Sequence, residues 1–299
     1  MWTRAFSAAL FLAATPAFAG NSLTNPTFDT GLSGWAYVGT AAWDTSDALA
    51  RPTSGSLIGT NNAATPFTYE TLLISGCLPV TAGASYDGSF DYRIPTGQGV
   101  TSIPSLEIAW YSGVNCGALT FLSANALVDG NAADGAWHRA ESSYAPTAPA
   151  GATFASFRVH LSKIEAGGTA TAYFDNLVFK PAGTCGSTPD RLCLNQDRFQ
   201  VTSTFLTYAS VSGVGMAQAM TGDTGYFWFF NPSNVEAVIK VIDGCSFNGN
   251  YWIYAGGLTD VQMHLEVLDT RTGVSHVFNN PLGTPFQPIG DIGSFPTCP

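Results

Sequence analysis

The sequence has few charged residues, and most of those it has are acidic. Asp, Glu, Lys and Arg make up only 11% of the 299 residues, and the formal net charge is −10 at pH 7. Only three residues in the chain are lysines. Proteins bind phosphate backbones through clustered Lys and Arg side chains. Nucleic acids and anionic membranes are therefore not expected as partners.

The sequence also lacks a long hydrophobic run. No stretch after residue 19 approaches the roughly 20 apolar residues of a membrane-spanning helix, so no membrane span is expected. The apolar run at residues 5–14 follows Arg4 and leads to the small-residue triplet "AFA" at residues 17–19. This pattern is typical of a signal peptide, residues 1–19, and the alternative is an N-terminal core helix. We expect a protein that is secreted, periplasmic or bound to the cell surface.

Common metal and catalytic motifs are missing as well. The chain has no C-x-x-C, no H-E-x-x-H and no G-x-S-x-G, and its four His residues are scattered. Six cysteines in an exported chain are typical of disulfide bonds, although sequence alone leaves many connectivities open. Pairing by proximity along the chain gives the simplest set. The predicted bonds are Cys77–Cys116, Cys185–Cys193 and Cys245–Cys298.

The chain is rich in turn-forming and aromatic residues. It contains 32 Gly and 17 Pro, with 13% aromatics and no sustained helical period. A Gly-, Pro- and Thr-rich stretch, "KPAGTCGSTPDRLC", marks a boundary near the middle. We predict a first domain at residues 20–181, a linker with a disulfide clip at residues 182–193, and a second domain at residues 194–299.

Alternating polar and apolar residues predict an all-β fold. In "FASFRVHLSK", Phe157, Val159 and Leu161 point one way while Arg158 and His160 point the other. Nine such segments predict two packed antiparallel sheets for the first domain, and about six predict a smaller β-sandwich for the second. The nine are 36–45, 55–60, 67–75, 84–94, 104–112, 119–128, 136–145, 153–163 and 170–179.

The first domain resembles the carbohydrate-binding module superfamily of families four, nine and twenty-two. "NPTFDTGLSGW" at residues 25–35 is similar to the N-terminal signature of that superfamily. "SGSLIGT", "LPVTAGASYDGSFDYRIP", "GAWHRA" and "AYFDNLVF" resemble later strands of the family in the same order. The resemblance implies an N-terminal jelly-roll β-sandwich that binds a polysaccharide or a cell-surface glycan. Trp35 is expected to be a core residue between the sheets rather than a sugar platform.

The resemblance also implies residues that contact sugar. Arg158 and His160 match an Arg and a His on an equivalent strand, while Phe67 and Glu70 of "FTYE" match a stacking Trp and an acid. Three further side chains are expected to line the same groove, and the alternative is a solvated outer face. The predicted carbohydrate-binding residues are Phe67, Glu70, Arg93, Glu107, Tyr111, Arg158 and His160.

A structural Ca²⁺ is the cofactor that the resemblance implies. Asp29 opens the module and Asp175 closes it, and the family commonly holds calcium where these ends meet. Ca²⁺ takes six to eight oxygen ligands, so the two carboxylates would need carbonyl oxygens as well. The alternative is that each Asp caps a turn.

The second domain resembles an uncharacterised C-terminal β domain common in exported bacterial proteins. "DTGYFWFFNPSNVEAVIKVIDG" and "NGNYWIYAGGLTDVQMHLEVLDT" carry that resemblance. It implies an accessory or attachment role with an unknown partner. The "GYFWFF" strand is expected to be core, with a binding platform as the alternative.

An enzyme is not expected. The carboxylate pairs Asp91 with Glu107 and Asp243 with Asp260 are possible glycosidase pairs, but no motif singles them out. Arg158, His160 and Tyr111 would suit a polysaccharide lyase, which is the alternative function, and a structural or adhesive surface protein is the third.

Overall fold

The computed structural model describes residues 21–299, so the predicted signal peptide lies outside the described residues. The first domain consists of short strands joined by turns. These strands are β1 (Trp35–Tyr37), β2 (Thr40–Asp44), β3 (Ser56–Asn61), β4 (Thr68–Ser75), β5 (Leu78–Pro79), β6 (Tyr86–Arg93), β7 (Ser102–Tyr111), β8 (Phe121–Asp129), β9 (Trp137–Glu141), β10 (Phe154–Lys163) and β11 (Ala170–Pro181). A 3₁₀ turn at Ala118–Thr120 precedes β8.

These strands form two packed antiparallel sheets, as predicted. The first sheet has the order β1-β4-β10-β7-β8, with β5 paired to β10, and the second has the order β2-β3-β11-β6-β9. Phe28, Phe90, Phe157 and Phe174 are fully buried between them. Trp35 also lies in this core, 5.9 Å from the Phe28 ring, as the sequence predicts. We refer to the two layers as the first and the second sheet of this domain.

The predicted strand 36–45 is interrupted, and its two parts belong to different sheets. β1 pairs with β4 in the first sheet, whereas β2 pairs with β3 in the second. The crossing occurs at Gly39, where an added Cβ would lie 2.5 Å from Glu70 Oε1 and 2.7 Å from the Thr71 carbonyl oxygen. Only glycine fits this close approach, and alternation along the strand does not reveal it.

The second domain is also all β. Its strands are β12 (Arg191–Leu194), β13 (Phe199–Leu206), β14 (Ser212–Val214), β15 (Met216–Ala219), β16 (Thr224–Trp228), β17 (Ala237–Gly244), β18 (Asn250–Gly257), β19 (Gln262–Asp269), β20 (Ser275–Asn280) and β21 (Ile289–Phe295), with helix α1 at Cys245–Asn248. β12, β13, β14, β19 and β20 form one sheet, and the other five strands form the second. The two sheets enclose a separate core that includes Phe199, Phe227 and Phe295.

Side chains alternate between core and surface along β19. Met263, Leu265 and Val267 are fully buried. The "DTRTG" segment makes a hairpin between β19 and β20, with Gly273 at φ +76°.

The junction is more ordered than the predicted linker 182–193. β12 begins at Arg191, inside that segment, and pairs with β13. Cys185 is buried and bonded to Cys193, so the end of the segment belongs structurally to the second domain. Cys77–Cys116 and Cys245–Cys298 complete the disulfides, which is the pairing that chain order predicts.

The beginning and the end of the first domain lie side by side. The backbone N–H of Ser22 donates to the Phe179 carbonyl oxygen at 2.9 Å. The Asn21 side chain donates to the Leu177 carbonyl oxygen at 2.7 Å. Within residues 21–299, no helix is long and apolar enough to cross a membrane.

Candidate functional site

A polar cluster lies on the outer face of the first sheet of the N-terminal domain. Arg158 of β10 is paired in register with Glu107 of β7, and its Nη1 donates to Glu107 Oε1 at 2.8 Å. Its Nη2 donates to the Tyr111 hydroxyl at 2.7 Å. His160, two residues further along β10, shares a hydrogen bond of 3.1 Å between Nδ1 and the Thr71 hydroxyl. The structure therefore brings together four of the seven predicted sugar-contacting residues.

Glu107 is the electrostatic centre of this cluster. Partial burial raises the pKa of its carboxyl group, but the neighbouring His160 and Arg158 outweigh that effect and hold the pKa below its usual value. His160 Nε2 lies 3.7 Å from Glu107 Oε1, which is beyond a normal hydrogen bond. Glu107 therefore remains ionised at neutral pH and can accept further hydrogen bonds.

The predicted exposure of this face is only partly correct. Val159 and Leu161 are fully buried in the core, as expected, but His160 on the outer face is also only 6% exposed. The exposed Tyr69 packs edge-on against it, with ring centroids 5.4 Å apart. The buried Nε2 of His160 has no hydrogen-bond partner within the described residues.

Exposed aromatics mark one end of the face. Phe67 directly precedes β4 and is 78% exposed, and Tyr69 is 70% exposed. Phe67 has a φ of +53°, in the left-handed region, which costs a non-glycine residue about 1–2 kcal/mol. Its N–H donates to the Ile164 carbonyl oxygen at 3.1 Å, which fixes the loop.

A second apolar group marks the other end. Phe121 of β8 is half exposed, and its ring packs edge-on against Tyr111. Leu119, in the preceding turn, is fully exposed. The register places Tyr69 opposite Ser162 of β10, and Tyr111 opposite Phe154. The two ends are therefore eight residues apart along β10, or about 26 Å at strand spacing.

Glu70 lies apart from this cluster. It is paired with the core residue Leu161 and reaches toward Gly39, on the opposite side of β4 from Tyr69 and Thr71. The F-x-x-E spacing therefore predicted the wrong face for Glu70. Period-2 alternation in the same segment places Tyr69 and Thr71 on one side of β4. That pattern could have identified both as residues of the outer face.

Arg93 lies on the other sheet. It is part of β6, and its guanidinium carbon is 4.0 Å from the centroid of the Tyr173 ring and 5.4 Å from that of Trp137. The prediction that Arg93 lines the same groove as Arg158 is wrong, because alternation assigns a side chain to a face but not to a sheet. No sequence pattern indicated that Phe121 belongs to this face. It lies beside Tyr111 because β8 pairs with β7, and the sequence does not reveal that pairing.

The candidate glycosidase pairs are not assembled either. Asp91 is on the outer face of the second sheet, where Arg139 binds it at 2.7 Å, whereas Glu107 is on the outer face of the first. Asp243 and Asp260 lie toward opposite ends of the β17–β18 hairpin. Neither pair can flank one sugar bond.

The corner predicted to hold calcium contains an arginine. Asp29 Oδ1 accepts from Arg51 Nη1 at 2.9 Å. Asp175 is fully buried, and its two oxygens accept the N–H groups of Ala48 and Asn176 at 2.9 and 2.7 Å. Burial raises the pKa of Asp175 to about 8.

Comparisons with known proteins give matches at low identity and low TM-score. No protein-family model matches the chain. No curated protein matches it either. Among solved structures, the CBM22-1–GH10 modules of Clostridium thermocellum endo-1,4-β-D-xylanase 10B, solved with xylohexaose, are 13% identical with a TM-score of 0.37. That match covers 55% of this chain and 29% of the other, so this chain spans under a third of the xylanase fragment.

Two further structures show a similar degree of likeness. A family 16 carbohydrate-binding module is 13% identical with a TM-score of 0.37, and the match covers 54% of this chain and 99% of the module. The enzymatically active domain of bacteriophage CBA120 tailspike protein 4 is 14% identical with a TM-score of 0.36, covering 54% and 21% of the two chains. At these values the function has to be argued from the residues of this chain.

Proposed function

We propose that the protein is an exported, non-catalytic glycan-binding protein, whose first domain binds a polysaccharide across the outer face of its first sheet. The observation that carries this proposal is the polar cluster around Arg158 and Glu107, flanked at both ends by exposed aromatic rings. Sugar rings offer C–H faces that stack on aromatics and hydroxyls that need paired donors and acceptors. The cluster supplies the donors and acceptors, and Tyr69 and Phe121 supply the aromatic faces.

The length and charge of the face indicate the kind of glycan. An interval of about 26 Å between the aromatic ends suits several linked sugar units rather than a single one. The charges of Arg158 and Glu107 neutralise each other, and the whole chain carries a net charge of −10. A neutral polysaccharide is therefore favoured over a polyanion.

One observation favours the alternative function, a polysaccharide lyase. Arg158, Tyr111 and the nearby His160 are the residue types of a lyase acid–base set, and Arg158 bonds directly to Tyr111. A lyase, however, needs a cation free to neutralise the uronate carboxylate, and Arg158 is already bonded to Glu107. Binding without turnover therefore accounts better for the arrangement.

A glycan array with the chain from residue 20 to 299 would identify the ligand, and affinity electrophoresis would then test the site. The double variant Glu107→Gln/Arg158→Met removes the ion pair without leaving a charge unpaired. We expect it to lose at least tenfold in affinity. The matched control is Asp87→Asn/Lys180→Met, which removes a 2.7 Å ion pair of β6 and β11 in the second sheet.

Three outcomes would decide between the functions. Loss of binding only in the Glu107/Arg158 variant supports the proposal. A rise in absorbance from unsaturated uronate products supports the lyase. Absence of binding to any glycan contradicts both and favours a structural or adhesive role.

For the second domain, we propose an accessory or attachment role. Phe227 and Phe229 of the "GYFWFF" segment are buried in its core, whereas Tyr226 and Trp228 alternate with them and are partly exposed. Half of the segment is thus used for packing, whereas Phe230 at its end is 55% exposed. The packed half supports a stable spacer or attachment domain. Deleting the domain should leave glycan affinity unchanged and alter only where the protein is retained.

A further inference from the structure

Two segments of the first domain meet at one guanidinium group. Arg51 lies in the loop after β2 and is largely buried, with its side chain 15% exposed. It contacts Asp47 in its own loop and Asp29 in the segment before β1. The same loop is tied to β11, because the Ala48 N–H donates to Asp175 Oδ2. The corner where the first and last segments of the domain meet is therefore arranged around the positive charge of Arg51.

The groups around Arg51 are the kinds of oxygen that a hard metal cation prefers. Nη1 donates to Asp29 Oδ1 at 2.9 Å. Nη2 donates to Asp47 Oδ2 and to the Ser54 hydroxyl, both at 2.7 Å, and it lies 3.5 Å from the Thr27 carbonyl oxygen. Two carboxylates, a hydroxyl and a carbonyl thus face one positive charge. Arginine suits this place because its planar fork stays charged and reaches several acceptors at once.

The same residues do not fit calcium as they are arranged. Both oxygens of Asp175 accept backbone N–H groups, and the Asp29 oxygen that faces the corner already accepts from Arg51 and Ser54. Ca²⁺ would need at least six oxygens and deprotonated carboxylates. Among the described residues, no group of three or more His, Cys, Asp or Glu side chains is placed to hold a metal ion.

We propose that Arg51 provides, from within the chain, the positive charge that closes this corner in place of a bound divalent cation. The Asp29 and Asp47 carboxylates, which both face this corner, would otherwise repel each other. Arg51 offsets that repulsion and holds the loop after β2 against the segment before β1. The native fold of the first domain therefore needs no calcium.

Thermal unfolding of the full chain, with a chelator and with millimolar CaCl₂, tests this proposal. The wild-type protein should melt at the same temperature in both conditions. Arg51→Ala should melt roughly 10 °C lower in chelator, the size expected for breaking a buried ion pair. Calcium should restore part of that loss, because the freed oxygens then face a vacant cation position.

Two further variants make the result specific. Arg139→Ala breaks another arginine–carboxylate pair, with Asp91, and should be destabilised without any recovery in calcium. Arg51→Lys keeps one charge and should lie between wild type and Arg51→Ala, which also guards against an alanine variant that fails to fold.

The proposal is overturned if calcium raises the melting temperature of the wild-type protein, since a metal site then exists beside Arg51. It is also overturned if Arg51→Ala melts like wild type in chelator. Equal calcium response in the Arg51 and Arg139 variants would mean that Arg51 does not stand in for a cation.

Discussion

At the scale of single residues, Phe67 combines two unfavourable features. It is 78% exposed, so it contributes little to the core, and its φ of +53° is costly for a residue with a side chain. A glycine at this position would fit the backbone better. The proposed glycan contact would account for an aromatic ring at this position.

The first prediction concerns that ring. Phe67→Ala should weaken glycan binding by about five- to tenfold while the melting temperature changes little. Phe67→Gly should weaken binding equally and raise the free energy of unfolding relative to Phe67→Ala by up to about 1 kcal/mol, because it relieves the backbone strain. Affinity electrophoresis and chemical denaturation would measure the two effects.

A matched control exists in the other domain. Phe247 is 79% exposed, so Phe247→Ala removes a similar amount of exposed ring without touching the proposed face. Equal affinities of the Phe67 and Phe247 variants would remove Phe67 from the site.

The second prediction concerns pH and Asp175. Burial raises its folded-state pKa to about 8, well above the value of 3.8 for an ordinary Asp. The folded state therefore keeps a proton that the unfolded state has lost, and stability falls as pH rises from about 4 to 8 by at most about 1.4 kcal/mol per pH unit. The side chain of the Asp175→Asn variant cannot titrate. Its amide N–H would face a backbone N–H that Asp175 accepts, and this contact destabilises the variant.

Denaturation of both proteins across this range would check the sign. Asp175→Asn should be the less stable protein at pH 5, and its disadvantage should shrink toward pH 8. A constant difference between pH 5 and 8 would contradict the prediction.

At the scale of strands, the sequence predicts what depends on local alternation. The segment around Phe157 is a strand with the expected core face, and most predicted strands agree with the observed ones to within two or three residues. Alternation does not assign a strand to a sheet, so the placement of Arg93 was missed. Alternation is also interrupted by a bulge in β4 opposite Val159 and His160. Glu70, by contrast, was misplaced by the spacing of the F-x-x-E motif and not by alternation.

The loops at the Phe67 end are held by a buried lysine that the sequence did not single out. Lys163 of β10 is fully buried, and its ammonium group donates to carbonyl oxygens of Ala63, Gly167 and Gly168. It thereby joins the loop before Phe67 to the loop after β10. A buried ammonium is retained only when such hydrogen bonds replace its hydration.

The third prediction, which rests on the proposed function, is that Lys163 positions Phe67. Lys163→Met should weaken glycan binding several-fold and increase amide hydrogen exchange in residues 62–68 and 164–169, while β7 and β10 remain protected. Lys180→Met is the control, because it removes a lysine of the second sheet. Weaker binding with unchanged exchange in both loops would show that Lys163 acts in another way.

At the scale of the molecule, the two cores are separate. One includes Phe157 and the other Phe199, and the contacts that cross the junction include the polar pair of Arg191 with Glu141 at 3.4 Å. Domains that each have their own hydrophobic core can in principle fold alone. Because Cys185 is buried and bonded to Cys193, the boundary between the two domains lies before Cys185 rather than after Cys193.

The fourth prediction is that fragments 20–183 and 184–299 each fold and unfold cooperatively. Fragment 20–183 should retain the glycan affinity of the whole chain within about twofold, because every residue of the proposed face lies within it. Calorimetry and affinity electrophoresis would measure both properties. A first fragment that neither melts cooperatively nor binds would mean that the second domain completes it.

The two ends of the first domain are adjacent, because Ser22 is hydrogen-bonded to Phe179. Their position determines how this unit could be joined to other domains. A unit that enters and leaves at one place can be spliced into a surface loop of a host, or duplicated in tandem, without stretching the neighbouring segments. Its proposed ligand face is made by β4, β7, β8 and β10, whereas the hydrogen-bonded ends meet at β11, in the other sheet. Fusion of other domains at these ends therefore leaves that face exposed. The unit could be joined to a different protein without loss of its proposed ligand face.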